Sequence, residues 1–233
     1  MAEMTPVRVW DAPTRIFHWL LVVLIGVCWF TGEEEGLATL VHRLSGEAII
    51  GLLVFRFLWG FQGGEYARFS TFFAPPREIF AHIKELMRFR ASQTLGHNSL
   101  GALASIVLML IVALTAVSGL LSADDDRTGP LSLIFNVNLK ELHEVSFRLL
   151  QAMVVVHLLG VAVTSFASRE NLARAMVTGA KKRPADSGAR DAKPGSSRAL
   201  IAAAGAALLT AGGLMLLPHP PQETEHGEEH DDH

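Results

Sequence analysis

Cysteine is almost missing from this chain: Cys28 is the only one in 233 residues. A single thiol excludes a disulfide framework, a cysteine-ligated cluster and a covalently attached c-type haem, whose attachment needs a Cys-x-x-Cys-His motif. Charge is scarce too, with 18% Asp, Glu, Lys and Arg against 50% hydrophobic residues, and it is confined to a few short stretches. No segment alternates apolar and polar residues as a half-buried strand does. The first apolar run lacks a small-residue cleavage site after a short core, so it is expected to be retained. A mean hydropathy of +0.32 is not the profile of a soluble domain. The expected surroundings are a lipid bilayer, with no nucleic acid among the partners.

What the chain has instead is five apolar runs: Ile16 to Phe30, Leu44 to Phe61, Leu100 to Leu121, Leu142 to Ala167 and Ala199 to Leu217. The first, second and fifth are close to the lower limit for a span of ~20 residues. Lys and Arg number two in the N-terminal arm, five between the second and third runs and eight between the fourth and fifth, whereas the opposite loops hold only Arg43, Arg127 and Lys140. The positive-inside rule therefore puts the N-terminus in the cytoplasm and, with five spans, the C-terminus outside. The segment REIFAHIKELMRFR spaces Ile79, Phe80, Ile83, Leu86 and Met87 as an interfacial amphipathic helix would; His82 within it is read as a surface residue. The stretch KKRPADSGARDAKPGSSR has the composition of a flexible linker. The expected organisation is an all-α integral membrane protein. A four-helix membrane domain covers 1–183, a cytoplasmic basic linker 184–198, a fifth transmembrane helix 199–217 and an acidic, histidine-bearing periplasmic tail 218–233.

Four histidines stand out by depth. His143 and His157 are fourteen residues apart in one run, which on a helix is about 1400°, roughly 40° short of four turns, with a rise of about 21 Å. Both imidazoles therefore leave one face at different depths, and ionisable groups inside an apolar span are rare and usually functional. His18 starts the first run at the cytoplasmic side, level with His157. His42 precedes the second run at the external side, level with His143. Two matched pairs, His18 with His157 and His42 with His143, suit bis-imidazole ligation of two non-covalent haems, one toward each membrane face. Each ligand imidazole needs an acceptor for its other N–H, and nothing in the sequence identifies it.

Arg56 lies fourteen residues after His42, on the same helix face and at the inner depth. It reads either as a clamp on a haem propionate, since a buried arginine needs an anionic partner, or as a side chain snorkelling to the cytoplasmic interface. Gly46, Gly51, Gly119 and Gly160 offer close approach to a flat macrocycle, and equally suit ordinary membrane-helix packing. His97, in GHNSLG at the cytoplasmic start of the third run, has three readings: a hydrogen bond to an inner propionate, part of a quinone site, or a helix cap with Asn98. The tail places His219, His226, His230 and His233 among Glu and Asp, as a metal-binding or, more simply, a solvated segment. Glu33 to Glu35 and Asp124 to Asp126 would make the outer face negative and attractive to a basic redox protein.

The stretches DAPTRIFHW, HRLSGEAIIGLLVFRFLWGFQGGEYARF, GHNSLG, LHEVSFRLLQAMVVVHLLG and SRENLARAMVTGAKKR resemble, in order, the signatures of the bacterial cytochrome b561 and Ni,Fe-hydrogenase cytochrome b subunit family. The resemblance runs from Val7 to Arg183. It implies a four-helix bundle in the inner membrane with two b haems ligated by His18, His42, His143 and His157. Glu47 stands where relatives often carry an aromatic or small residue, and Ser99 replaces a frequent proline; neither touches a proposed ligand. The expected role is an electron-transfer subunit or carrier in a respiratory chain, between the quinone pool and a periplasmic c-type cytochrome or hydrogenase, with quinone as a further cofactor candidate. The alternatives are a quinone-coupled oxidoreductase acting on a small external redox substrate, a metal-handling membrane protein using the tail, and a haem-free anchor subunit.

Overall fold

A computed structural model describes residues 3–123 and 128–217 of the chain. Asp124 to Asp126, Arg127 and the tail with its four histidines lie outside the described residues. The chain opens with strand β1 (Met4–Arg8) and helices α1 (Ala12–Thr31) and α2 (Leu37–Gln62). Two short 3-10 turns, Glu65–Ala67 and Phe69–Thr71, lead to α3 (Pro76–Met87) and α4 (Ser99–Leu120). Then follow α5 (Pro130–Phe135), α6 (Lys140–Ser168), α7 (Leu172–Thr178), strand β2 (Ala180–Pro184) and α8 (Ser197–Met215). Five of the helices, α1, α2, α4, α6 and α8, are long and apolar enough to cross a membrane. The second span starts earlier than its apolar core: α2 has 26 residues and takes in His42 and Arg43.

Local chemistry fixes the helix starts. The Asp11 carboxylate accepts from the Thr14 N–H at 2.8 Å, capping α1. Its other oxygen accepts from the Gly64 N–H at 3.0 Å and the Trp59 indole N–H at 3.1 Å, so one side chain joins the start of α1 to the end of α2. Asn98 caps α4 through the Gly101 N–H at 2.6 Å.

The spans form two pairs, α1 on α2 and α4 on α6, joined through α2 and α4, while α8 covers the remaining side of α2. Small residues let α8 come close: a Cβ at Gly51 would stand 2.8 Å from the Ala207 carbonyl oxygen. Gly51 therefore serves the α2–α8 contact, not a cofactor. Ile49, Ile111, Val112 and Leu150 form an apolar layer in the middle of the bundle. A second cluster, with Phe17, Phe55, Trp59 and Ala203, fills the end nearer the strands.

Three features depart from the sequence reading. β1 and β2 pair antiparallel, with Val7 opposite Lys181. β2 shows no apolar alternation, because the residues it turns inward are Lys181 and Arg183, paired with Glu170. The basic stretch expected to be flexible is tied down: Arg190 donates to both Glu65 carboxylate oxygens, at 2.8 and 2.9 Å, and the Lys193 N–H to one at 3.0 Å. These bonds, the Arg190 guanidinium first, hold the Glu65 carboxyl well below the ordinary range, at about 2. Finally, His82, expected at the surface, is 6% exposed. It is the buried residue of α3, the helix that packs on α4 and α6.

Candidate functional site

Each helix pair contributes to both histidine sets: His18 lies on α1 and His42 on α2, while His143 and His157 lie on α6. At the end away from the strands, the His42 and His143 rings lie 6.2 Å apart between centroids, at 88° to each other. His143 Nδ1 lies 2.8 Å from the Thr115 carbonyl oxygen and His42 Nδ1 lies 3.0 Å from that of Cys28. A carbonyl oxygen can only accept, so Nδ1 carries the proton in both rings and the lone pair resides on Nε2, the tautomer a metal ligand needs. With metal–imidazole bonds of about 2 Å, two rings on opposite sides of one ion have centroids roughly 6 Å apart. The observed separation fits a single six-coordinate iron.

The space around this pair is large enough for a macrocycle. A cavity of about 840 Å³ is lined by Ile25, Trp29, Gly46, Val112, Phe147 and Leu150 together with the two histidines, within the size range of ligand sites. A Cβ at Gly46 would meet nothing within 4 Å, whereas one at Gly119 would stand 2.9 Å from His143 Cε1. Gly46 therefore leaves room in the cavity and Gly119 leaves room for the ring of His143. Arg43 and Glu47 also line this cavity, and Glu47 is fully buried.

At the strand end, His18 and His157 are within electrostatic reach of each other, and the Nδ1 atoms of His18 and His97 and the Nη1 atom of Arg56 are buried without hydrogen-bond partners. Arg56 is only 4% exposed. Its guanidinium carbon lies 4.8 Å from the Phe69 ring centroid and 5.3 Å from that of Phe72, so it does not snorkel to water. The negative charge that acts on it belongs to Asp11, which is already engaged with Thr14, Gly64 and Trp59. His97 is wedged against Trp10 and Phe72, at 4.6 and 4.7 Å between ring centroids. Burial, then the charges of Arg56, Lys181 and His157, pushes its imidazole down to about 3, so it stays neutral. The cap of α4 is Asn98, and His97 is not needed for it. Buried polar atoms without partners are costly alone, and the unpaired Arg56 donor suits an anionic group such as a propionate.

The carbonyls of Cys28 and Thr115 had no signal in the sequence because every residue carries one. Gly119 was singled out, though not its neighbour.

The family described as prokaryotic cytochrome b561 has a model that matches residues 9–179, a range that contains all four histidines and ends before α8. Among curated proteins, the chain is similar to the "Probable Ni/Fe-hydrogenase 1 B-type cytochrome subunit" of Escherichia coli (strain K12) and to its counterpart of the same name in Escherichia coli O157:H7. Each is 26% identical over a stretch covering 48% of this chain and 57% of the relative. The chain thus spans little more than half the length of these relatives. No solved structure matches at comparable stringency.

Proposed function

This chain belongs to the prokaryotic cytochrome b561 family, and from that premise we propose that it is a membrane electron carrier holding two non-covalent b haems. His42 and His143 ligate the outer haem; His18 and His157 ligate the inner one. The observation that carries the reading is the His42–His143 pair, 6.2 Å apart with both Nδ1 atoms bound to backbone carbonyls. Haem iron supplies one-electron chemistry when bound. The chain's own part is to fix depth, tautomer and local charge. A reduced-minus-oxidised visible spectrum of the purified full chain, with haem counted per polypeptide, tests this directly. Two b-type haems are expected, and their absence would leave a haem-free anchor or a metal-handling membrane protein as the remaining accounts.

Arg56 and His97 serve the inner haem, Arg56 through a propionate. Arg56→Leu is expected to lower the inner midpoint potential, because loss of a positive charge disfavours the more negative reduced state. For a unit charge in surroundings of effective dielectric ~20, the expected shift is on the order of tens of millivolts. Arg56→Lys should restore part of the shift and not the fork geometry. A redox titration that leaves both midpoints unchanged in Arg56→Leu would remove the clamp.

The partners we assign are the quinone pool and a periplasmic redox protein, a c-type cytochrome or hydrogenase, reached at an outer face where Glu33 to Glu35 are exposed. The relatives' name, that of a probable hydrogenase cytochrome subunit, supports the hydrogenase choice. The protein lies in the inner membrane with the strand pair and N-terminus in the cytoplasm, supported by the Lys and Arg in that end's loops. A periplasm-dependent reporter fused after Leu217 should be active, and the same reporter fused after Gln93 silent; the reverse pattern inverts the topology.

A further inference from the structure

Glu47 is 0% exposed, and neither of its carboxylate oxygens has a hydrogen-bond partner. It lies on α2 five residues after His42 and lines the same cavity as the outer histidine pair. Arg43 is its ion-pair neighbour, with Nε at 3.8 Å, and that nitrogen too lacks a hydrogen bond. One turn further along α2, Gly51 receives the backbone of α8, so this side of α2 is closed by protein rather than lipid. A structural ion pair would be expected to close to hydrogen-bonding distance and satisfy both partners. Here a carboxyl group stands next to a cofactor-sized cavity with its charge only partly compensated, an arrangement that is costly if permanent.

The electrostatic surroundings are defined. α1 contributes Cys28 and the following turn Glu33; α2 contributes His42 and Arg43; α6 contributes Lys140, His143, Glu144 and Arg148. α4 has no titratable residue, and the one in α8, Arg198, is in its first turn at the strand end. Among the described residues, the buried acid of the cavity is thus Glu47, since Glu33 and Glu144 are exposed.

We propose that Glu47 is a redox-linked proton acceptor: it binds one proton from the external side for each electron held at the outer histidine pair. This rests on the dihaem reading above. In the coupled step an O–H bond would form at a Glu47 oxygen with a proton taken from external hydronium, which leaves water, while a one-electron donor would supply the electron to the haem that His42 and His143 would hold. Re-oxidation reverses both transfers. The electron adds a negative charge to a low-dielectric cavity, which raises the cost of a second negative charge on Glu47; the proton leaves the cavity's total charge unchanged. Arg43 is close enough to make the ionised form accessible in the oxidised state and too loosely held to lock it.

The test is a spectroelectrochemical titration of the haem-loaded full chain over roughly pH 5–9, with the outer haem identified as the signal lost in His143→Ala. Its midpoint should fall with rising pH, approaching about 59 mV per tenfold change in proton concentration for one proton per electron. The slope should vanish in Glu47→Gln and persist in Glu47→Asp. Reduced-minus-oxidised infrared spectra of the unsubstituted protein should show a protonated carboxyl band on reduction, and this reading needs no variant to fold. Failure to find an outer haem at all would sink the dihaem reading; an outer haem whose slope survives Glu47→Gln, or a spectrum with no carboxyl band, would overturn the proton role alone.

Discussion

Replacing His143 with alanine should lower the haem content from two per chain to one and leave the inner haem's spectrum and potential in place. The ring is held by Thr115 on α4 and faces His42 on α2, so in the proposed pairing its loss would leave the outer haem with His42 alone to hold it. His42→Ala should have the same result, and His18→Ala or His157→Ala should remove the inner haem instead. A pyridine haemochrome assay with resolved reduced spectra gives the count. If His143→Ala and His18→Ala abolished the same signal, the pairing by depth would be wrong.

Gly119→Val should also abolish outer haem binding without altering any ligand. A Cβ there would stand 2.9 Å from Cε1 and 3.0 Å from Nδ1 of His143, closer than real side chains allow, and the branched γ-carbons of valine enlarge the conflict. The ring must swing away from the Thr115 carbonyl, so both the tautomer lock and the axial direction are lost. Disturbing such a supporting contact typically costs 10–100-fold in metal affinity, and here the steric push adds to it. Gly205→Ala on α8, where an added Cβ meets nothing within 4 Å, is the matched control and should keep both haems. Retention of full haem content in Gly119→Val would show that the His143 ring has another place to go.

The meeting of His42 and His143 was legible in the sequence, because helical period, span length and basic loops together place them at one depth. The same arithmetic put Arg56 inside the bundle, where it is buried, but left open what it serves there. The carbonyls that orient His42 and His143 were not legible, since an acceptor on the backbone leaves no mark in residue identity. Nor was the burial of His82: the amphipathic pattern of α3 marks an apolar face but not which bundle helices it meets. Gly51 looked like Gly119 in sequence, and only the position of α8, which the resemblance did not cover, separates them. The anchoring of the basic stretch depends on Glu65 meeting Arg190 and Lys193, contacts between residues over a hundred positions apart that composition cannot foresee.

The apolar layer of Ile49, Ile111, Val112 and Leu150 has an electrical consequence. Leu150 lies midway in sequence between His143 and His157, so the layer separates the two histidine pairs as a thin insulator separates the plates of a capacitor. Their rise along α6 is about 21 Å in a hydrocarbon core of ~30 Å, and an electron crossing it therefore moves through roughly two thirds of any voltage across the membrane. At ~2.3 kcal/mol per charge per 100 mV for a full crossing, that is about 1.5 kcal/mol per 100 mV. In the dihaem reading, the division of one electron between the two pairs would therefore follow the energised state of the membrane as well as the ligands, and transfer along the bundle would charge or discharge the bilayer that holds it.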